Sequence, residues 1–159
     1  MRKTTTGWGR SLLGRGVMVV LALAATACSG NKSTQPDSAV APFVGDWSAT
    51  TLVLTDKANP DVHPDLISLG ATFTINVQES GQYTAILIYA SQASTAIGTL
   101  EISGNTMTQH QTFPTSQSTA GVFSFQGNDQ FTLDGDSEFD FNLDGTLDPA
   151  LAHIVLVRK

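Results

Sequence analysis

Short segments in which apolar and polar residues alternate constrain the fold of this chain more than any other feature. Residues 71–78 alternate throughout, with apolar side chains on one face and polar ones on the other: Ala71, Phe73, Ile75 and Val77 against Thr72, Thr74 and Asn76. A period of two residues is typical of a β-strand that buries one face. No run of helical length has the 3.6-residue period of an amphipathic helix. The sequence therefore predicts an all-β domain.

Similar segments follow one another along the chain, and most are joined by tight turns such as Gly104-Asn105. Nine segments are predicted to be strands: residues 43–55, 71–78, 82–90, 94–103, 106–113, 121–125, 130–133, 138–142 and 151–159. Eight or nine short antiparallel strands in simple succession favour an up-and-down β-barrel, with a two-sheet β-sandwich as the alternative. Residues 82–90 are apolar on both faces, so we expect this strand to be covered on both sides.

The N-terminus has the pattern of an export signal. Four basic residues, the last of them Arg15, precede an apolar run that ends at Ala27, directly before Cys28, the only cysteine. This charge order is that of a signal peptide, and the run is too short for a transmembrane helix, which needs about 20 residues. The sequence AATAC, Ala24 to Cys28, resembles the lipobox of bacterial lipoproteins. An ordinary secretory signal cut after Ala27 is the alternative.

The lipobox resemblance implies a mature protein that begins at a lipidated Cys28 and is anchored through it to a membrane. Ser29 is not the Asp that resembles an inner-membrane retention signal, which favours the outer membrane and a domain that faces the periplasm. The next residues are small, polar and interrupted by proline, as in a flexible tether. We therefore divide the chain into a signal peptide (1–27), a lipidated cysteine with its tether (28–42) and one barrel domain (43–159).

The charge of the mature chain argues against one class of partner. Fourteen acidic and four basic residues follow Ala27, which gives a net charge of −10. Such a surface repels phosphate backbones, so we expect no nucleic-acid partner. The sequence does not indicate an oligomeric state.

The start of the first predicted strand and the end of the last carry a family resemblance. Gly45, Asp46 and Trp47 begin the first strand and Arg158 ends the last, an arrangement similar to that of lipocalins. The segments ISLGATFTINVQESGQYTAI and IGTLEISGNTMT also resemble hairpins of small bacterial lipocalin-like domains. The resemblance implies an eight-stranded barrel in which Trp47 plugs one end and Arg158 packs on its ring. No helix is predicted before the last strand, which favours a compact lipocalin-like domain over a full-length lipocalin.

The acidic segment DFNLDGTLD, residues 140–148, has two interpretations. It matches the first nine positions of an EF-type calcium loop, with Gly145 at the bend and five candidate ligands: Asp140, Asn142, Asp144, the Thr146 carbonyl and Asp148. The twelfth position, where a bidentate Glu belongs, is Leu151. Asp-Gly is also a favoured hairpin turn, so the segment is interpreted first as the connection to the closing strand and second as a calcium site.

No motif for an enzyme is present: the chain has no G-x-S-x-G elbow, H-E-x-x-H helix or glycine-rich phosphate loop. We therefore expect no enzyme and no certain cofactor, calcium being the candidate. The first hypothesis is an envelope lipoprotein that binds an apolar or amphipathic small molecule, with Phe73, Ile75 and Val77 as interior ligand contacts. The alternative is a calcium-stabilised structural or protein-interaction domain.

Lipidation can be tested directly on Cys28. Cells that express the protein are fed a fatty-acid probe, and we expect label on the wild type and none on Cys28→Ala, because the thiol is the attachment point. Ser29→Ala is the matched control and should keep its label. A wild-type protein that incorporates no probe would contradict the lipoprotein hypothesis.

Overall fold

A computed structural model describes residues 39–142 and 144–159 and confirms the predicted all-β barrel. Eight antiparallel strands follow one another around a closed up-and-down barrel, and the last pairs with the first. After a 3-10 helix at Ala41–Phe43, the strands are β1 (Gly45–Asp56), β2 (Thr72–Val77), β3 (Gln82–Tyr89), β4 (Gln92–Ser103), β5 (Thr106–Phe113), β6 (Gln117–Phe125), β7 (Gln130–Phe139) and β8 (Asp148–Arg158). This closure excludes the two-sheet sandwich. The predicted signal peptide and Cys28 lie outside the described residues.

Alternation along each strand decides which side chains enter the barrel. The apolar face of residues 71–78 points inward, with Ala71 and Val77 almost fully buried and Phe73 and Ile75 packed against the core. In β4, the face that carries Leu100 and Ile102 also packs inward. Within the described part of the chain, no helix is long and apolar enough to cross a bilayer.

Three details of the predicted strands are wrong. The outer face of β3 is not covered, because Ile86 and Ile88 are exposed. Residues 117–120, expected in a loop, are the start of β6. The segments 130–133 and 138–142 were expected as separate strands, but β7 runs without a break through Gly135 and ends at Phe139. Gly135 is needed there for close packing, since a Cβ atom would lie 3.0 Å from the Ala120 carbonyl oxygen.

The barrel end at which β1 begins, called the closed end from here on, is filled with aromatic rings. The 3-10 helix places Phe43 inside it, with ring centroids 4.9–5.3 Å from three other phenylalanines, Phe123, Phe125 and Phe131. Trp47 is completely buried, and its indole Nε1 donates a hydrogen bond to the Phe43 carbonyl oxygen at 2.6 Å. Val40 is also buried in this cluster. The packed domain thus begins within the predicted tether, before the expected boundary at Phe43.

Arg158 fastens the end of β8 to the start of β1. Its Cζ lies 4.2 Å from the centroid of the Trp47 ring. The guanidinium donates to the Val44 carbonyl oxygen at 2.6 Å and to that of Pro42 at 2.9 Å, and Nε lies 3.3 Å from an Asp129 carboxylate oxygen. The contact expected from the lipocalin resemblance is therefore present, and it also holds the 3-10 helix in place.

The first residue of β1, Gly45, has a conformation and surroundings that leave no room for a side chain. Its φ angle of 126° disfavours any residue with a side chain. A Cβ atom at this position would lie 2.8 Å from Nη1 of Arg158. Gly45, Trp47 and Arg158 are thus three parts of one closure.

The long connection between β1 and β2 folds back onto the C-terminal half of β1, from Leu52 to Asp56. Backbone hydrogen bonds join Leu54 to Pro64 and Leu66 to Leu52. They take the place of pairing with β2, which reaches only residues 45–48 of β1. The Leu66 side chain is fully buried against Leu52 and Leu54. The barrel thus has no open strand edge and has its own core, so residues 39–159 contain what an independently folding domain requires.

Replacing Arg158 should destabilise the whole barrel. Arg158→Met keeps the length of the aliphatic chain but removes the cation–π contact and the charged hydrogen bonds, so we expect a loss of about 2–4 kcal/mol in the free energy of unfolding. Lys57→Met is the matched control, because it breaks a single exposed ion pair and should cost less than about 1 kcal/mol. Urea denaturation followed by Trp47 fluorescence measures both, and equal losses would show that Arg158 does not fasten the ends.

Candidate ligand cavity of the barrel

The half of the barrel away from the closed end contains a cavity of about 800 Å³. In an up-and-down barrel, alternate connections share one end, so four connections surround this cavity: residues 57–71, 90–91, 114–116 and 140–147. We call this end the mouth. The cavity contacts side chains from deep positions such as Leu133 up to Leu147 and Pro149 at the mouth. Its floor is the packed closed end, which the cavity meets at Leu133 and Gln109.

One wall of the cavity is apolar. It combines side chains from five strands, β1, β2, β3, β7 and β8: Leu52, Leu54, Phe73, Leu87, Leu133 and Ile154. These strands place apolar residues at successive inward positions, and Leu66 of the β1–β2 connection is fully buried in the same cluster as Leu52, Leu54 and Phe73. An apolar surface of this size favours a hydrocarbon or ring system over water.

The opposite wall, formed by β5 and β6, is polar but uncharged. Met107 is buried at the closed end, and the next inward positions of β5 are Gln109 and Gln111. The register pairs Gln109 with Thr119 and Gln111 with Gln117 on β6. Four uncharged hydrogen-bonding side chains therefore line one side of the cavity.

Charged groups are found only at the mouth among the described lining residues. Lys57 Nζ lies 2.7 Å from an Asp136 carboxylate oxygen, and this ion pair joins the ends of β1 and β7. Asp136 and Glu138 occupy outward positions of β7, so their carboxylates lie on the outer face near the mouth, and Lys57 is the one basic residue among the described lining residues. The mouth therefore has a negative balance of charge.

The three predicted interior contacts divide between the two halves of the barrel. Phe73 lines the cavity. Ile75 and Val77 instead contact a residual space of about 10 Å³ in the closed end, together with Phe43 and Trp47. Because this space is too small for a ligand, Ile75 and Val77 belong to the packed floor.

The acidic segment lies at the mouth, in the connection between β7 and β8. Its side chains accept hydrogen bonds from the segment's own backbone: Asp140 from the N–H groups of Asp144 and Gly145, at 3.1 and 2.9 Å, and Asn142 from that of Asp144, at 2.9 Å. The Thr146 N–H donates to Asp144 at 2.8 Å and is the main cause of a lowered pKa of that carboxyl. These bonds are those of a turn.

Asp148 is separate from that network, since it begins β8 opposite Phe139. Within residues 39–142 and 144–159, no three acidic, histidine or cysteine side chains are grouped closely enough to hold a metal ion. The described backbone of the segment is therefore that of a hairpin turn, and calcium binding stays a prediction.

Asp65 fixes the connection that covers the apolar wall. It accepts hydrogen bonds from the N–H groups of Leu52 and Ile67, both at 3.1 Å, and from the Ser68 hydroxyl at 2.8 Å. The bond from Leu52 is the main reason why the pKa of Asp65 lies below its usual value. Asp65 thus serves the fold of this connection through its bonds to the backbone. His63 lies in the same connection and contacts the Pro60 carbonyl oxygen.

A line of three polar side chains crosses the outer face of β4, β5 and β6. His110 Nδ1 lies 2.9 Å from the Ser118 hydroxyl, and its Nε2 lies 3.0 Å from a Glu101 carboxylate oxygen. The residue types are those of a nucleophile, a base and an orienting acid. However, the side chains of His110 and Glu101 are largely exposed on the surface of a sheet, whereas such chemistry requires a water-excluded site with donors for an oxyanion. The geometry fits a cross-strand surface network.

Sequence reasoning missed the polar wall. The signal was present in residues 106–113, where Met107, Gln109 and Gln111 share one face. That face begins apolar and becomes polar, which identifies a strand that passes from a packed core into a solvated cavity.

No protein-family model matches the sequence, and no curated protein is significantly similar to it.

Proposed function

We propose that this protein is a membrane-anchored lipoprotein of the cell envelope whose barrel binds an amphipathic small molecule. The cavity of about 800 Å³ carries this proposal. Its volume lies within the range of roughly 300–1,000 Å³ that is usual for small-molecule sites. An eight-stranded barrel can instead fill its interior with side chains, as the closed end does here.

The position of the mouth is compatible with an N-terminal anchor. The chain enters the barrel at the closed end, where Val40 and Phe43 are buried. A tether that leads to a lipidated Cys28 would therefore attach opposite the mouth, leaving the mouth accessible from the periplasm. The lipobox resemblance and the proline-containing tether support the anchor and the envelope location. We assign no reaction to the cavity.

Binding can be measured with N-phenyl-1-naphthylamine, a neutral fluorophore whose emission rises in apolar surroundings. The mature chain without its cysteine, residues 29–159, should bind it in a saturable manner. Thr119→Trp places an indole in the cavity and should weaken binding at least about tenfold, equivalent to about 1.4 kcal/mol.

Val122→Trp is the matched control for this experiment. It adds the same side chain to the same strand, at an exposed position on the outer face, and should bind like the wild type. Circular dichroism checks that both variants are folded. Binding that is absent in the wild type, or equally strong in both variants, would overturn the proposal.

A second candidate function, a calcium-stabilised protein-interaction domain, is favoured by an exposed apolar patch. Ile86, Ile88, Ile97 and Phe113 are between 36% and 52% exposed on the outer faces of β3, β4 and β5. Strand pairing places Ile97 between Phe113 on β5 and Thr84 on β3. Thr84 precedes Ile86 and Ile88 on the outward face of β3. Apolar surface of this kind often marks contact with another protein.

Size-exclusion chromatography separates the two candidates. An interaction domain of this kind should form oligomers in millimolar calcium, return to a monomer with chelator and melt at a higher temperature with calcium. Ile88→Lys should abolish the oligomer, because it places a charge in the patch, while Val122→Lys, equally exposed but outside it, should not. A monomer under all conditions would exclude calcium-dependent self-association.

A further inference from the structure

We propose, resting on the proposed ligand-binding function, that the cavity selects an uncharged amphiphile: an apolar body with hydroxyl, carbonyl or amide groups along one side. The two walls of the cavity carry this inference. Apolar side chains from β1, β2, β3, β7 and β8 face glutamine and threonine side chains from β5 and β6. A ligand that fills the space must contact both.

The polar wall extends down to the floor. Gln109 lines both the cavity and the small space above Trp47, so its amide lies where the packed core begins. Gln111 and Gln117 continue the wall toward the mouth, one pair of residues higher. A ligand whose polar group enters first can therefore pair with the Gln109 amide at the bottom of the cavity, and further polar groups along the same side can pair with Gln111 and Gln117.

Most of these side chains have spare hydrogen-bonding capacity. The Gln111 amide donates to the Thr115 carbonyl oxygen at 3.1 Å. The side chains of Gln109, Gln117 and Thr119 make no hydrogen bond to any described residue. A primary amide offers two donors and an acceptor, and water satisfies them while the cavity is solvated. A pure hydrocarbon would remove that water without replacing its bonds, which opposes binding.

The charges around the cavity disfavour an anionic ligand. Lys57, the basic residue among the described lining residues, lies at the mouth and is already paired with Asp136. Asp136 and Glu138 take outward positions of β7, so no charged side chain of this strand points into the cavity. A carboxylate in the cavity would find neutral amides but no free counter-charge, and burying an unpaired charge is costly. The polar groups of the ligand should therefore be uncharged.

Displacement of N-phenyl-1-naphthylamine from residues 29–159 tests this class with three ligands of equal chain length. Decanamide, decanoate and decyltrimethylammonium differ only in a neutral, negative or positive polar group, and all are used below micelle-forming concentrations. Decanamide should displace the fluorophore at a concentration about tenfold lower than decanoate, because it pairs with the amides of the wall without bringing in a charge. Decyltrimethylammonium, attracted to the acidic mouth but unable to donate a hydrogen bond, should also bind more weakly than decanamide.

The variant Gln109→Leu locates the effect at the polar wall. It should reduce the preference for decanamide over decanoate at least threefold and bind the fluorophore at least as tightly as the wild type. Thr108→Leu introduces the same residue on the outer face of the same strand and should leave the preference unchanged. If Gln109→Leu does not fold, Gln117→Leu nearer the mouth takes its place.

Each outcome separates the ligand class from the function. No binding of the fluorophore to the wild type overturns the proposed function. Binding that Thr119→Trp abolishes, with equal competition by decanamide and decanoate, leaves the function in place and overturns the uncharged class. Stronger competition by decyltrimethylammonium than by decanamide would identify a cationic ligand attracted to the mouth and would equally overturn it.

Discussion

The contact between Arg158 and Trp47 is the constraint on which the rest of the structure depends. The guanidinium packs on the indole and also donates hydrogen bonds to the carbonyl oxygens of Pro42 in the 3-10 helix and of Asn128 in the β6–β7 turn. This joins the first and last strands at the end where the core is densest. Because a barrel has no edge only when it is closed, the same contact protects both terminal strands and fixes the floor above which a cavity can exist.

The interior is divided by the order of residues along each inward face. On β2, the face runs from Phe73 beside the cavity to Val77 at the packed end. On β5, it runs in the opposite chain direction, from Met107 at the packed end to Gln111 near the mouth. Antiparallel strands thus place their apolar residues together at the closed end. The change to polar residues is confined to neighbouring strands, which gives the cavity two unlike walls.

Much of the fold was predictable from sequence because its determinants are local. The period of two residues in 71–78 identifies a strand, whereas the closure by Trp47 and Arg158 was only implied by the resemblance to lipocalins. The break predicted in β7 was wrong because Gly135 in an acidic segment has the composition of a turn, whereas its role is close packing between strands. The cavity itself was not predictable, since its size depends on how far Leu66 and the aromatic cluster fill the barrel. The change from Met107 to Gln109 and Gln111 along β5 indicates that a solvated space exists, but no single segment determines its size.

The position of the acidic segment follows from this division of the barrel. DFNLDGTLD connects the last two strands at the mouth, and its carboxylates are already occupied in part by backbone N–H groups of the turn. Leu147, directly before β8, is largely exposed and lines the cavity. The segment therefore places an apolar side chain and negative charge together at the mouth. A ligand with an apolar surface can enter at such a mouth, whereas an anion is repelled. The mouth and the polar wall therefore favour the same uncharged ligands.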